Sequence, residues 1–150
     1  MVSKLMSKKG LICYLSYSGN TKELAEMIEC QLRDTCEIDM YEIGFGIIPD
    51  LTQYDFVLFG TFTWDEGRVP EDFKDFILET DTYKPNNSYF FGTGDTQFGG
   101  DDLFCNAVSK LHNFYDGGLY PLKIEQSPRG SQEKYVKEWI KHLSIDVLMS

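Results

Sequence analysis

The chain lacks any apolar run long enough to cross a membrane: after its basic start the stretch "LICYL" (11–15) is only five residues long. A signal-peptide core or a spanning helix needs more than that, so a cytoplasmic protein with no membrane partner is expected. CxxC is absent, and no histidine stands at metal-ligand spacing from Cys13, Cys30, Cys36 or Cys105. No metal site is expected, and Cys13 in an apolar run and Cys30 in a helical pattern read as reduced, buried thiols. Positive charge is also scarce, with 14 Lys and Arg against 24 Asp and Glu for a net charge of −10. Such a field repels nucleic acid and anionic membranes and favours a basic protein partner. Internal repeats, linkers and low-complexity segments are missing too. The 150 residues therefore read as one domain and a monomer, with residues 1–8 as a tail before the first strand.

What is present is an alternation of apolar runs with amphipathic stretches. "GLICYLS" (10–16), "CEIDMYEI" (36–43), "YDFVLFGTF" (54–62), "SYFFGTG" (88–94) and "LYPLKIE" (119–125) read as strands. Pro121 argues that the last lies at a sheet edge. Helices are expected over 20–34, where Leu24, Met27, Ile28 and Leu32 repeat at helical spacing, and over 70–80, with Pro70 at the first helical position. Two more are expected over 101–118 and over 131–143, the latter with Ser131 as N-cap. Strands that are continuous apolar runs, separated by helices, predict an α/β fold: a doubly wound five-stranded parallel sheet, order 2-1-3-4-5, with helices on both faces. Aromatics make up 15% of the chain, and most are expected in its core.

In that topology three loops meet beyond the carboxyl ends of the strands, over 16–21, 60–68 and 93–100. The first, "SYSGNT", packs Ser16, Ser18, Asn20 and Thr21 around Gly19. Hydroxyls, an amide, a glycine and a helix start make a nest of donors suited to a phosphate dianion. The turn has no lysine, whereas loops that split nucleotide phosphates carry GxxxxGK[ST]. A phosphate here is an anchor, and its charge stays uncompensated. At an effective dielectric near 20, a charge about 10 Å away costs a second negative charge roughly 1.7 kcal/mol. For a one-electron couple that is roughly 70 mV. The second loop, "GTFTWDEGRVP", offers Trp64 and the third, "GTGDTQFGGDD", offers Phe98. Two aromatics beside a phosphate nest describe a flat ring with a phosphorylated tail.

These residues resemble the flavodoxins, specifically the short-chain bacterial ones. The family's T/S-x-T/S-G-N-T phosphate signature is matched by Ser16-Tyr17-Ser18-Gly19-Asn20-Thr21, "GTFTW" with "DEG" is similar to its first flavin loop, and "GTGDTQF" to its second. The resemblance runs from about Lys9 to Leu143. It implies an electron carrier, not an enzyme, that moves one electron at a time at low potential on non-covalent FMN. Ser16, Tyr17, Ser18, Gly19, Asn20 and Thr21 would hold the phosphate. Thr61, Phe62 and Thr63 would lie along the ribityl chain and ring, with Trp64 on the inner face and Asp65 and Gly67 in the same loop. Thr93, Gly94 and Asp95 would meet the pyrimidine side, and Phe98 would cover the outer face. The implied partners are basic redox proteins, such as a flavodoxin/ferredoxin-NADP reductase, and an acceptor enzyme. Two positions depart from the family pattern: Phe98 stands where tyrosine is usual, and Asp65 where close relatives often have glycine.

Two other flavin readings share this site: a flavodoxin-like activator of ribonucleotide reductase and an FMN-dependent quinone or azo reductase. The chain has no insert that could form a substrate lid. His112 and His142 fall late in their expected helices, where a helix terminus explains them. A phospho-receiver has the same strand order but needs an acidic pair after the first strand and an aspartate ending the third. Ser16 and Gly60-Thr61 stand there instead.

Overall fold

Short apolar runs followed by amphipathic stretches fold here into alternating strands and helices around one sheet. The computed structural model describes residues 8–16, 19–62, 70–80, 87–94, 106–114, 119–125 and 128–149. Strands are β1 (Lys9–Tyr14), β2 (Glu37–Glu42), β3 (Phe56–Phe62), β4 (Ser88–Gly94) and β5 (Leu122–Glu125). Helices are α1 (Asn20–Leu32), α2 (Glu71–Glu79), α3 (Asn106–Phe114) and α4 (Glu133–Met149). A 3₁₀ turn, Leu51–Gln53, is the helical element found between β2 and β3. All pairings are parallel and the order is β2-β1-β3-β4-β5, as the sequence predicts.

Both faces of the sheet are covered, and strand alternation decides which side chain goes where. Ile12, Phe56, Leu58, Tyr89 and Phe91 point to one side, where Leu24 and Ile28 of α1 and Val136, Trp139 and Leu143 of α4 complete the core. Leu11, Val57, Phe59 and Phe90 point to the other, under Phe73 and Phe76 of α2 and Val108 and Leu111 of α3. Phe59 is the centre of an aromatic cluster, stacked on Phe90 at 5.6 Å and edge-on to Phe73 and Phe76. Such contacts contribute about 0.5–1.5 kcal/mol each beyond area burial. Most of the aromatics among the described residues lie in the core, with Phe45, Tyr120 and Tyr135 exposed.

Several local expectations are corrected. Pro70 is not the first helical residue; at φ −59°, ψ 145° it is the N-cap of α2, and its carbonyl accepts from Lys74 N–H. Ser131 is not an N-cap, because the chain enters α4 through a 3₁₀ turn over Gly130–Gln132 with Arg129 before it. Gln132 turns its amide onto the sheet edge instead: its Oε1 accepts from Glu125 N–H at 2.7 Å and its Nε2 donates to the Glu125 carbonyl. Both backbone groups of the last residue of β5 thereby gain a side-chain partner. Helix α4 also continues past Leu143 to Met149, so His142 lies within it, beside Glu138 and Tyr120. Cys30 is exposed, not buried. The stripe of α1 that faces the core runs through Leu24, Ala25, Ile28 and Leu32, and a residue two past Ile28 points the other way. Cys13 and Cys36 are buried free thiols, and burial pushes both up from the ordinary cysteine value.

Candidate functional site

Three strands deliver their carboxyl ends to one rim, and backbone bonds hold them in step there. Leu15 N–H donates to the Gly60 carbonyl at 3.0 Å, tying the exit of β1 to β3. In the β3–β4 register Phe62 stands opposite Thr93, so the second and third loops start side by side. Of the residues proposed for this site, Tyr17, Ser18, Thr63, Trp64, Asp65, Gly67, Asp95 and Phe98 lie outside the described residues. Ser16, Gly19, Asn20, Thr21, Thr61, Phe62, Thr93 and Gly94 are described, and they do come together at the rim.

The turn before α1 is shaped by Gly19, which sits at φ 95° as the N-cap and supplies no side-chain cap. A left-handed residue is tolerated there because glycine has no Cβ. Its N–H donates to Ser16 Oγ at 3.1 Å, which holds the hydroxyl oxygen and leaves the hydroxyl hydrogen to be given elsewhere. The first-turn N–H groups of an α-helix have no partner within the helix, and the Gly19 cap supplies no side chain to take them. Glu23 also lies in the first turn, but Arg129 grips its carboxylate through Nε and Nη2 at 2.8 and 3.2 Å. Its charge therefore does not stand bare against an anion. Lys22, exposed in the same helical turn, is the cation nearest in sequence, and residues 16–21 carry none. The donor set here, N–H and O–H, fits the phosphate of FMN.

Three threonines at the rim are already engaged. Thr61 is fully buried and its hydroxyl donates to the Phe62 carbonyl at 3.0 Å. Thr93 and Thr21 are buried against each other, Oγ1 to Oγ1, at 2.8 Å. The first and third loops are thus joined by a direct hydroxyl contact that the sequence does not show. His112 is not on this rim; its Nε2 is 2.9 Å from the Leu119 carbonyl and its ring packs edge-on to Phe90.

Sequence reasoning missed a cavity of about 550 Å³ beside Ser16, between the turn after β2 and α2. Leu15, Tyr41, Ile43, Phe45 and Phe76 give it an apolar lining, and Asp72, Asp75 and Glu79 add acid. Gly44 and Gly46, at φ 96° and 83°, flank Phe45, which is 69% exposed. The signal was available in "IGFGII", where an aromatic stands between two glycines.

A doubly wound parallel sheet whose first helix starts at the switch point, beside a serine hydroxyl and a left-handed glycine, is the frame in which ligands sit beyond the carboxyl ends of the strands. Comparison with known proteins narrows that frame to a family. The family model described as Flavodoxin matches residues 12–117. "Probable flavodoxin 2" of Bacillus subtilis is 34% identical over 135 residues, covering 84% of this chain and 87% of that one. Among solved structures, oxidised Flavodoxin 2 from Bacillus cereus aligns with TM-score 0.75 and 29% identity over 94% of this chain and 98% of that one. A Fusobacterium nucleatum flavodoxin bound to flavin mononucleotide aligns with TM-score 0.74 and 14% identity over 93% and 98%. The chain belongs to the flavodoxin family. It is a short-chain flavodoxin of the bacterial kind, an FMN protein that carries electrons and is not an enzyme.

Proposed function

We propose that this flavodoxin passes electrons singly, at low potential, between basic redox proteins, with FMN seated across the three rim loops. The observation that carries the reading is the chain leading into α1: a left-handed glycine cap, a serine hydroxyl set by Gly19, and no cation within residues 16–21. Bound FMN supplies the redox chemistry. Ser16, Tyr17, Ser18, Gly19, Asn20 and Thr21 hold its phosphate. Thr61, Phe62 and Thr63 would lie along the ribityl chain and ring, with Trp64 on the inner face and Asp65 and Gly67 in the same loop. Thr93 through its main chain, with Gly94 and Asp95, would meet the pyrimidine side, and Phe98 would cover the outer face. Trp64 and Phe98 would exclude water from the ring, which strengthens every charge interaction around it.

The acids of the flavin loops, Asp65, Glu66, Asp95, Asp101 and Asp102, add negative field to that of the phosphate. They oppose further negative charge on the ring and so lower its potential. Spectroelectrochemistry reads this directly. Neutralising Asp101 and Asp102 together is expected to raise the lower one-electron potential, and no movement would remove both from the set. Asp65→Gly is expected to widen the separation of the two one-electron potentials, because glycine adopts positive φ more readily than aspartate. An unchanged separation would count against Asp65.

Basic partners are supported by the charge balance and by the acid-rimmed cavity beside Ser16, where Phe45 offers an apolar contact. The defining experiment is a titration of apoprotein with FMN, followed by electron transfer to a basic redox protein across ionic strength. We expect a yellow one-to-one complex, and a transfer rate that falls several-fold from about 10 mM to about 150 mM salt as the Debye length shrinks. Apoprotein that stays colourless with excess FMN would overturn the cofactor site. A salt-independent rate would overturn the basic partner.

A further inference from the structure

The buried hydroxyl contact at the rim assigns a task to a residue that the flavin loops leave with another. The sequence places Thr93 with the pyrimidine-side loop. In the fold, however, its side chain is 2% exposed and shares the α1 face of the sheet with Tyr89 and Phe91. There its Oγ1 lies 2.8 Å from Oγ1 of Thr21, which is 1% exposed. Two hydroxyls at this distance share one hydrogen, and either atom can be the donor.

The ligand chemistry sets the direction. A phosphate dianion offers only acceptors, so the Thr21 hydroxyl can serve it only by giving up its own hydrogen. The bond between the threonines then needs Thr93 as donor and Thr21 as acceptor. A hydroxyl that accepts while it donates is a stronger donor, and at these burials no water stands in for the missing partner.

We propose that Thr93 is a positioning residue for the phosphate end of the cofactor: its hydroxyl donates to Thr21 and so aims the Thr21 hydrogen at the phosphate. This rests on the reading that the start of α1 holds that phosphate. Thr21 is the residue that touches the ligand, and Thr93 acts through it.

Thr93→Val keeps the shape of the side chain and removes the hydroxyl. Apoproteins are titrated with FMN and with riboflavin, which lacks the phosphate, by flavin fluorescence. The FMN Kd is expected to rise about tenfold in Thr93→Val, the scale of one charge-assisted hydrogen bond, while the riboflavin Kd moves by less than about twofold. Thr93→Ser should restore FMN binding, and Thr21→Val with Thr93→Val should be no weaker than Thr21→Val alone. Equal losses for both ligands, or no loss for either, would overturn the proposal, since packing or mere adjacency would then account for the contact. If Thr93→Val does not fold, Thr93→Ala is read against Thr93→Ser in the same way. Failure of both to fold would assign the pair to stability alone and likewise overturn it. Wild-type protein that binds neither ligand, or binds both equally, would instead sink the phosphate site itself.

Discussion

Trp139→Ala is expected to lower the unfolding free energy of the apoprotein by about 3–5 kcal/mol, the range for deleting a large buried aromatic. Trp139 is fully buried on α4, in the same core cluster as Val136, Leu143, Leu122 and Ile124. Its truncation removes apolar contact and leaves a cavity between helix and sheet. A second loss is separable: the indole Nε1–H donates to the Tyr120 carbonyl at 2.8 Å, just ahead of β5. Trp139→Phe deletes that bond and part of the ring, and about 1–3 kcal/mol is expected for a donor taken from a part-buried carbonyl. Urea unfolding monitored by far-ultraviolet circular dichroism measures both. Apoprotein must be used, because bound cofactor adds its own stabilisation. A loss below about 1 kcal/mol for the alanine variant would show that this core closes up around the missing ring.

Gly92→Ala, the addition of one methyl group, is expected to destabilise by about 3 kcal/mol, near the upper end for overpacking. A Cβ at Gly92 would stand 1.9 Å from Val108 Cγ2 and 2.6 Å from the Thr61 carbonyl oxygen. Neither neighbour can easily retreat. Val108 is fully buried on α3, and the Thr61 carbonyl is backbone of the adjacent strand β3. Val108→Ala in the same chain removes the first clash and leaves the second, so it should restore stability only in part. The clash with Thr61 also pushes β3 and β4 apart just below the rim, so weaker FMN binding is expected alongside. Gly19→Ala makes an informative contrast. A Cβ there meets nothing within 4 Å among the described residues, but φ is +95°, and strain of about 1–2 kcal/mol is expected from the backbone alone. Equal stabilities for Gly92→Ala and wild type would mean that the strands separate at little cost.

Long-range contacts set the details that sequence reading got wrong or left open. Cys30 sits in a helical pattern that is correctly placed, but its exposure depends on where the stripe of α1 lands on the sheet. Ser131 looks like a cap by residue type, yet it lies inside a 3₁₀ turn, Gln132 bonds the end of β5 at Glu125, and α4 begins only at Glu133. Glu23 and Arg129 are 106 residues apart, and no local pattern links them. Trp64 and Phe98 stood out in the sequence as aromatics in two of the three loops, whereas the face of the ring assigned to each came only from the family pattern.

From the sequence alone came the strand runs, the β2-β1-β3-β4-β5 order, both covered faces and the hydroxyl-rich turn that ends at α1. The strand runs and the turn follow from side-chain period or backbone preference within a few residues, and the order and the covered faces follow from the alternation of strands with helices along the whole chain. Tertiary structure alone decided that Thr93 meets Thr21, that Gly92 has no room for a methyl group, and that an acid-rimmed cavity opens beside Ser16. The reason is register: which side chain meets which across a parallel sheet is set by how the strands slide and twist against one another, and that is a property of the assembled layers.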